Sequence, residues 1–116
     1  MDTYELKLCG VKRELPFIDL EDNLAFASFV IMGDTELITA CAPDLAEKIG
    51  DVDVIITAEA KGIALAYEIS RLLGKKEFIV ARKSIKSYMC GVVSVSVHSI
   101  TTSGEQHRYL DGHDAK

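Results

Sequence analysis

The chain has 116 residues and a mass of 12.7 kDa, 48% hydrophobic and 27% charged, which excludes a disordered segment and allows one domain with a single core. No apolar run approaches the roughly 20 residues of a membrane span, and the N-terminus lacks the basic-then-apolar pattern of a secretory signal. The net charge of −5 speaks against a nucleic-acid partner, yet residues 71–86 hold Arg71, Lys75, Lys76, Arg82, Lys83 and Lys86 against Glu77 alone, a local +5 that leaves −10 elsewhere.

Residues 4–8 alternate polar and apolar as a strand does, and Gly10 with Val11-Lys12-Arg13 predicts a turn back into a strand over 15–20. Pro16 cannot donate to a ladder, which makes that second strand an edge or an irregular one. Leu20-Glu21-Asp22 reads as a turn or helix cap. Residues 24–32 are apolar almost throughout and fit either a buried strand or a short helix, punctuated by Gly33-Asp34. A helix is predicted over 35–49, with Asp34 or Thr35 as N-cap and Gly50 closing it. Leu37, Ile38, Cys41, Leu45 and Ile49 share one face, and Pro43 predicts a kink or a split into two helices.

Residues 52–57 are a β-branched run bounded by polar residues, the character of a central parallel strand. A loop over 58–62 leads into a helix over 63–73 that buries Ile63, Ala66, Ile69, Leu72 and Leu73 and is closed by Gly74. A strand over 77–81 completes a βαβ unit with a right-handed crossover. After a polar stretch from Arg82 to Gly91, Val93, Val95 and Val97 alternate with Ser94, Ser96 and His98 in a half-exposed strand, which turns at 102–105 into a return strand over 106–110. The expected fold class is α/β, one domain over residues 1–116 with a parallel-sheet βαβ core and an antiparallel hairpin.

Cys9, Cys41 and Cys90 are odd in number, far apart in sequence and form no C-x-x-C pair, against both a disulfide framework and a zinc site. Cys41 on the apolar helix face reads as a small buried hydrophobe. His98, His107 and His113 lack helical spacing and read as strand-mates or solvated groups. No metal ligands are expected, and reduced thiols fit a cytoplasmic protein.

In open parallel sheets, ligands bind beyond the C-terminal ends of the strands. At one such end Glu59-Ala60-Lys61-Gly62 feeds a helix N-terminus, where free N–H groups and the helix dipole attract an anion. Gly62 permits close approach there, and Lys61 adds a charge. At the other end Arg82-Lys83 follows the second strand directly, with Lys86 three residues on. Each alone is matched by an ordinary turn glycine and solvated lysines. If the two strands are neighbours, both clusters converge on one rim and suit a small anionic ligand.

At these residues the sequence resembles a known family. Val54-Ile55-Ile56-Thr57-Ala58-Glu59-Ala60-Lys61-Gly62-Ile63 resembles the pyrophosphate-binding loop of the type I phosphoribosyltransferases, nearest the adenine and xanthine branch with its E-[AS]-[RK]-G loop. Val80-Ala81-Arg82-Lys83-Ser84-Ile85-Lys86-Ser87-Tyr88-Met89 is similar to the basic R-K-x-x-K strand end that opens the family's flexible catalytic loop. The hairpin over 92–110 matches that loop in size and place. The resemblance covers residues 24–116, and residues 1–23 correspond to the variable hood that selects the base.

The resemblance implies a purine-salvage glycosyltransferase of nucleotide metabolism, in which a purine displaces pyrophosphate from magnesium-bound phosphoribosyl pyrophosphate to give a nucleotide. It places Ala60, Lys61 and Gly62 on the pyrophosphate through backbone N–H groups, Lys61 also through its ammonium. Arg82 and Lys83 fall on pyrophosphate oxygens, across a homodimer interface as is common in the family. Glu59 assists through water or metal, or braces the loop, and Lys86 and Tyr88 belong to the flexible loop. No certain catalytic residue is assigned.

One family signature has no match: a hydrophobic strand ending in two acids and a Thr-Gly turn, which cradles the ribose 5-phosphate. In the family it follows a position like Leu110-Asp111-Gly112. The expectation is therefore an incomplete transferase, inactive alone, whose open sheet edge favours dimerisation or strand swapping. The alternative is a non-catalytic purine- or nucleotide-sensing or assembly module on the same scaffold. A dinucleotide-binding fold is disfavoured because no G-x-G-x-x-G follows a strand.

Overall fold

The computed structural model describes residues 2–98 and 105–115. The order is β1 (Thr3–Leu8), β2 (Val11–Glu21), β3 (Leu24–Ala27), α1 (Thr35–Ile49), β4 (Ile56–Ala58), α2 (Ile63–Leu72), β5 (Ile79–Ala81), β6 (Val93–His98) and β7 (Glu105–Leu110). The architecture is mixed α/β, with one parallel pair, β4–β5, between two antiparallel units. The expected turn over 102–105 lies outside the described residues except for Glu105, which begins β7. Among the described residues no helix is long and apolar enough to cross a membrane.

The N-terminal unit is a three-stranded sheet in the order β1-β2-β3. Its first turn is tighter than predicted: Cys9 and Gly10, at φ 52° and 79°, both take the left-handed backbone of a two-residue hairpin turn, so Val11-Lys12-Arg13 belong to β2. Of the two readings for the strand with Pro16, the irregular one holds: β2 is central, not an edge, and its register with β3 shifts between Asp19 and Glu21. Pro16 lies where β2 passes from pairing with β1 to pairing with β3. Its carbonyl accepts from Ser28 N–H at 2.8 Å, so its donor-less nitrogen faces that side and costs the β1 ladder nothing. Residues 24–27 form a strand but not a buried one, with Leu24 about half exposed, and Phe29, Val30 and Met32 in the following loop are exposed too.

α1 has the predicted limits, with Asp34 as N-cap and Gly50 at φ 70°. Pro43 does not split it. Pro43 and Thr39 both lie on the exposed side, where water can satisfy the carbonyl that proline leaves unbonded. Leu37, Ile38 and Cys41 are buried as expected, whereas Ile49 is exposed.

The core is the seam between the two helices and β4. Ala42 and Ala46 of α1, Ala66 and Ile69 of α2 and Ile55 are buried together, and Leu45, Val52, Leu65, Leu73 and Phe78 close around them. Small alanines on both helices allow close approach, so packing rather than propensity fixes this pair. Leu72, predicted on the buried side of α2, is exposed, and Ser70 takes a buried place instead.

β4 and β5 pair in parallel, Ile56↔Ile79 through Ala58↔Ala81, with α2 as the connection. β4 is shorter than its β-branched run: Val54 and Ile56 are exposed and, among the described residues, β5 is its one partner, so there it is an edge and not the central strand expected. β6 and β7 form the C-terminal hairpin, Val93↔Leu110 through His98↔Glu105. Val93 and Val95 are exposed alongside Ser94 and Ser96, so the alternation marks no buried face there.

Candidate functional site

β4 and β5 end side by side, and the two loops that leave them meet. The Glu59 N–H donates to the Ala81 carbonyl at 3.0 Å, extending the ladder one step past the strands. This sets the Glu59 carboxylate against the start of the next loop, where it accepts from Arg82 Nε at 3.1 Å and from the Lys83 backbone N–H. The Arg82 Nη1 donates to the Tyr88 hydroxyl at 2.8 Å. Arg82 is fixed from behind as well, its backbone exchanging two 2.8 Å hydrogen bonds with Tyr109 of β7.

Glu59 is partly buried, and its carboxyl is held below the ordinary carboxylate range, first by the Lys83 N–H and then by Arg82, with Lys86 adding charge and burial opposing. It is therefore ionised at neutral pH. It cancels Arg82 but leaves the Lys61 and Lys83 ammonium groups exposed and, among the described residues, without partners.

The loop over 59–62 runs into α2 with Gly62 as N-cap. Among the described residues no side chain caps this end, and no acidic residue lies in the first turn. Ile63 N–H turns back to the Ala60 carbonyl at 3.2 Å and Ala66 N–H to the Gly62 carbonyl at 2.9 Å. A Cβ at Gly62 would stand 2.4 Å from Thr57 Oγ1, so the loop can pass this close to β4 only with glycine there. The Glu59–Ala60 peptide is cis.

The sequence-predicted residues thus fall in two groups. Glu59, Arg82, the Lys83 backbone and Tyr88 are linked in one chain of hydrogen bonds, with Ala60, Lys61 and Gly62 forming the adjoining helix entrance. Lys86 lies in the same loop as Tyr88, its Nζ donating to Ser84 Oγ at 2.7 Å. That loop is anchored at both ends, by Arg82 to Tyr109 and by Cys90, whose carbonyl accepts from Gly112 N–H at 2.8 Å. Tyr109 and Thr57 carry no sequence signal for these roles, because one acts through its backbone and the other through the space it fills.

The basic run over 71–86 is not one rim. Arg71, Lys75 and Lys76 precede β5 and Arg82, Lys83 and Lys86 follow it, so they stand at opposite ends of the βαβ unit. Arg71 pairs with Glu68 at 2.6 Å and the Lys75 ammonium donates to the Val52 carbonyl, which makes the first cluster part of the fold. An apolar recess of about 470 Å³, lined by Met32, Ala60, Ile63, Ala64, Tyr67 and Phe78, opens beside the loop.

Among the described residues no group of His, Cys, Asp or Glu side chains could hold a metal ion, and Glu59, the one carboxylate at the site, is already engaged by two donors. A scan against models of known protein families finds no match for the chain, and a search of curated protein sequences finds none.

Proposed function

We propose that the chain is a type I phosphoribosyltransferase-like domain whose βαβ unit binds the pyrophosphate end of phosphoribosyl pyrophosphate, with a purine as the acceptor class. The observation that carries this reading is the meeting of two loops at the C-terminal ends of adjacent parallel strands. One brings an uncapped helix entrance with Gly62 and Lys61, the other Lys83 and an Arg82 held in place by Glu59. A helix N-terminus and two ammonium groups without partners among the described residues suit a diphosphate, which spreads its charge over several oxygens. Magnesium enters as part of the substrate, because the residues do not fit a resident ion.

In this reading Glu59 is a brace. It sets the Arg82 side chain and the Lys83 backbone so that binding requires little reorganisation. The chain's accessible surface of 8206 Å² exceeds the about 6,200 Å² of a compact monomer of this mass. Together with the exposed Met32 and Tyr67 beside the apolar recess, that excess supports a homodimer as the working form. The second reading, a non-catalytic nucleotide-sensing or assembly module, is favoured by one observation: residues 1–116 contain no acidic pair followed by a Thr-Gly turn.

Calorimetry with pyrophosphate alone and with magnesium phosphoribosyl pyrophosphate tests the proposal. Weak pyrophosphate binding with little gain from the ribose 5-phosphate end is expected. Tight binding of the whole donor would contradict the expectation of little gain, and no binding of either would end the anion-site reading.

A further inference from the structure

The two-residue turn between β1 and β2 places a cysteine where a side chain is costly. Cys9 has φ 52°, in the left-handed region that such turns normally give to Asn, Asp or Gly. A turn selected for geometry alone has no reason to hold a thiol there. The thiol has partners on α1, however. Its Sγ donates to Asp44 Oδ2 at 3.3 Å, and Cys41 lies one helical turn before Asp44 on α1, beside that thiol. Cys41 is buried and Cys9 exposed.

The hairpin is also held over α1 independently of the thiols. Arg13 of β2 donates through Nε to Asp34 at 2.8 Å and through Nη2 to Glu36 at 2.7 Å, so the two cysteines are presented to each other by an anchored sheet. The residues that the sequence separates by 32 positions are neighbours in space.

We propose that Cys9 and Cys41 form a reversible disulfide that staples the N-terminal hairpin to α1, with a small-molecule disulfide such as oxidised glutathione as the oxidant. The accessible Cys9 thiolate attacks the small disulfide, forming a Cys9–thiol adduct and releasing one reduced thiol. The Cys41 thiolate then attacks the Cys9 sulfur and expels the second. Two protein S–H bonds are exchanged for one S–S bond, the oxidant is reduced to two thiols, and the two protons go with them. Cys41 and Asp44 together push the Cys9 thiol up to about 11, so Cys9 stays a thiol and reacts slowly near neutral pH.

The test uses the full chain with Cys90→Ser, treated with oxidised glutathione between pH 7 and 10. The expected product has lost about 2 Da, carries no glutathione, and yields a Cys9–Cys41 cross-linked peptide on digestion. Its rate of formation should rise about tenfold per pH unit over this range. Asp44→Asn should speed the reaction at pH 7 severalfold, and Cys9→Ala, which relieves no packing in the core, should leave Cys41 unmodified until the chain unfolds. The oxidised form should melt roughly 10 °C above the reduced one. A stable glutathione adduct on Cys9 beside a free Cys41 would overturn the proposal, as would an unreactive native chain.

Discussion

The two helices begin in opposite ways. α1 starts closed: Asp34 accepts from Leu37 N–H at 3.1 Å, Glu36 lies in the first turn, and Arg13 bridges both acids. Its free donors and dipole are neutralised within the fold. α2 starts open, with glycine as N-cap, no acid in its first turn, and Lys61 just ahead of it. The one carboxylate nearby, Glu59, is turned toward Arg82 and Lys83 instead of the helix. An end built for stability is capped by the protein. The other leaves its positive potential available, and that contrast locates the candidate site more sharply than charge does.

The contrast can be broken by substitution. Gly62→Ala should have the largest effect, because the new Cβ meets Thr57 Oγ1. About 2 kcal/mol of stability and most pyrophosphate affinity should be lost, and adding Thr57→Ala should recover part of both in denaturant titrations. Lys61→Ala with Lys83→Ala should weaken pyrophosphate binding about 30-fold, roughly 2 kcal/mol, with the melting temperature unchanged. Unchanged affinity would return these lysines to the solvated surface.

Asp34→Ala should do the reverse: a loss of about 1 kcal/mol in unfolding free energy, with pyrophosphate affinity unaltered. Glu59→Gln, which removes the charge that cancels Arg82, should tighten pyrophosphate binding about threefold in calorimetry.

The smallest effects concern pH. Asp34, held low by Arg13 foremost and by the Leu37 N–H, and Glu59 both stabilise the fold above their unfolded values. That stability should fade as pH drops through the acid range below about 4. Cys9 behaves oppositely. Its raised value contributes stability that is present below the ordinary thiol value and lost as pH rises toward 11, which a melting series between pH 8 and 11 can follow.

Local signals carried much of the layout. Asp34 and Gly50 bounded α1 correctly because capping is a property of a few adjacent residues. The βαβ unit was legible from a β-branched run, an amphipathic helix and a second apolar run, and its two loops do meet. Pro43 did not divide α1, and Pro16 sits in a central strand that is irregular, because the cost of a proline depends on which side is left without a bond. At Pro43 that side is solvent, and at Pro16 it is where β2 changes partners.

Sequence by itself determined most element types, the limits of α1, the acidic character and the identity of the candidate ligand-binding side chains, since these follow from composition and short-range spacing. Tertiary structure decided which of them act together. Only the pairing of β4 with β5 joined Glu59 to Arg82 and Lys83, and only the same strand divided the basic run into a structural half and an open half. Docking of the hairpin on α1 likewise brought Cys9 to Cys41 and Asp44. Such contacts are set by packing and strand pairing between distant segments, and no local pattern encodes them.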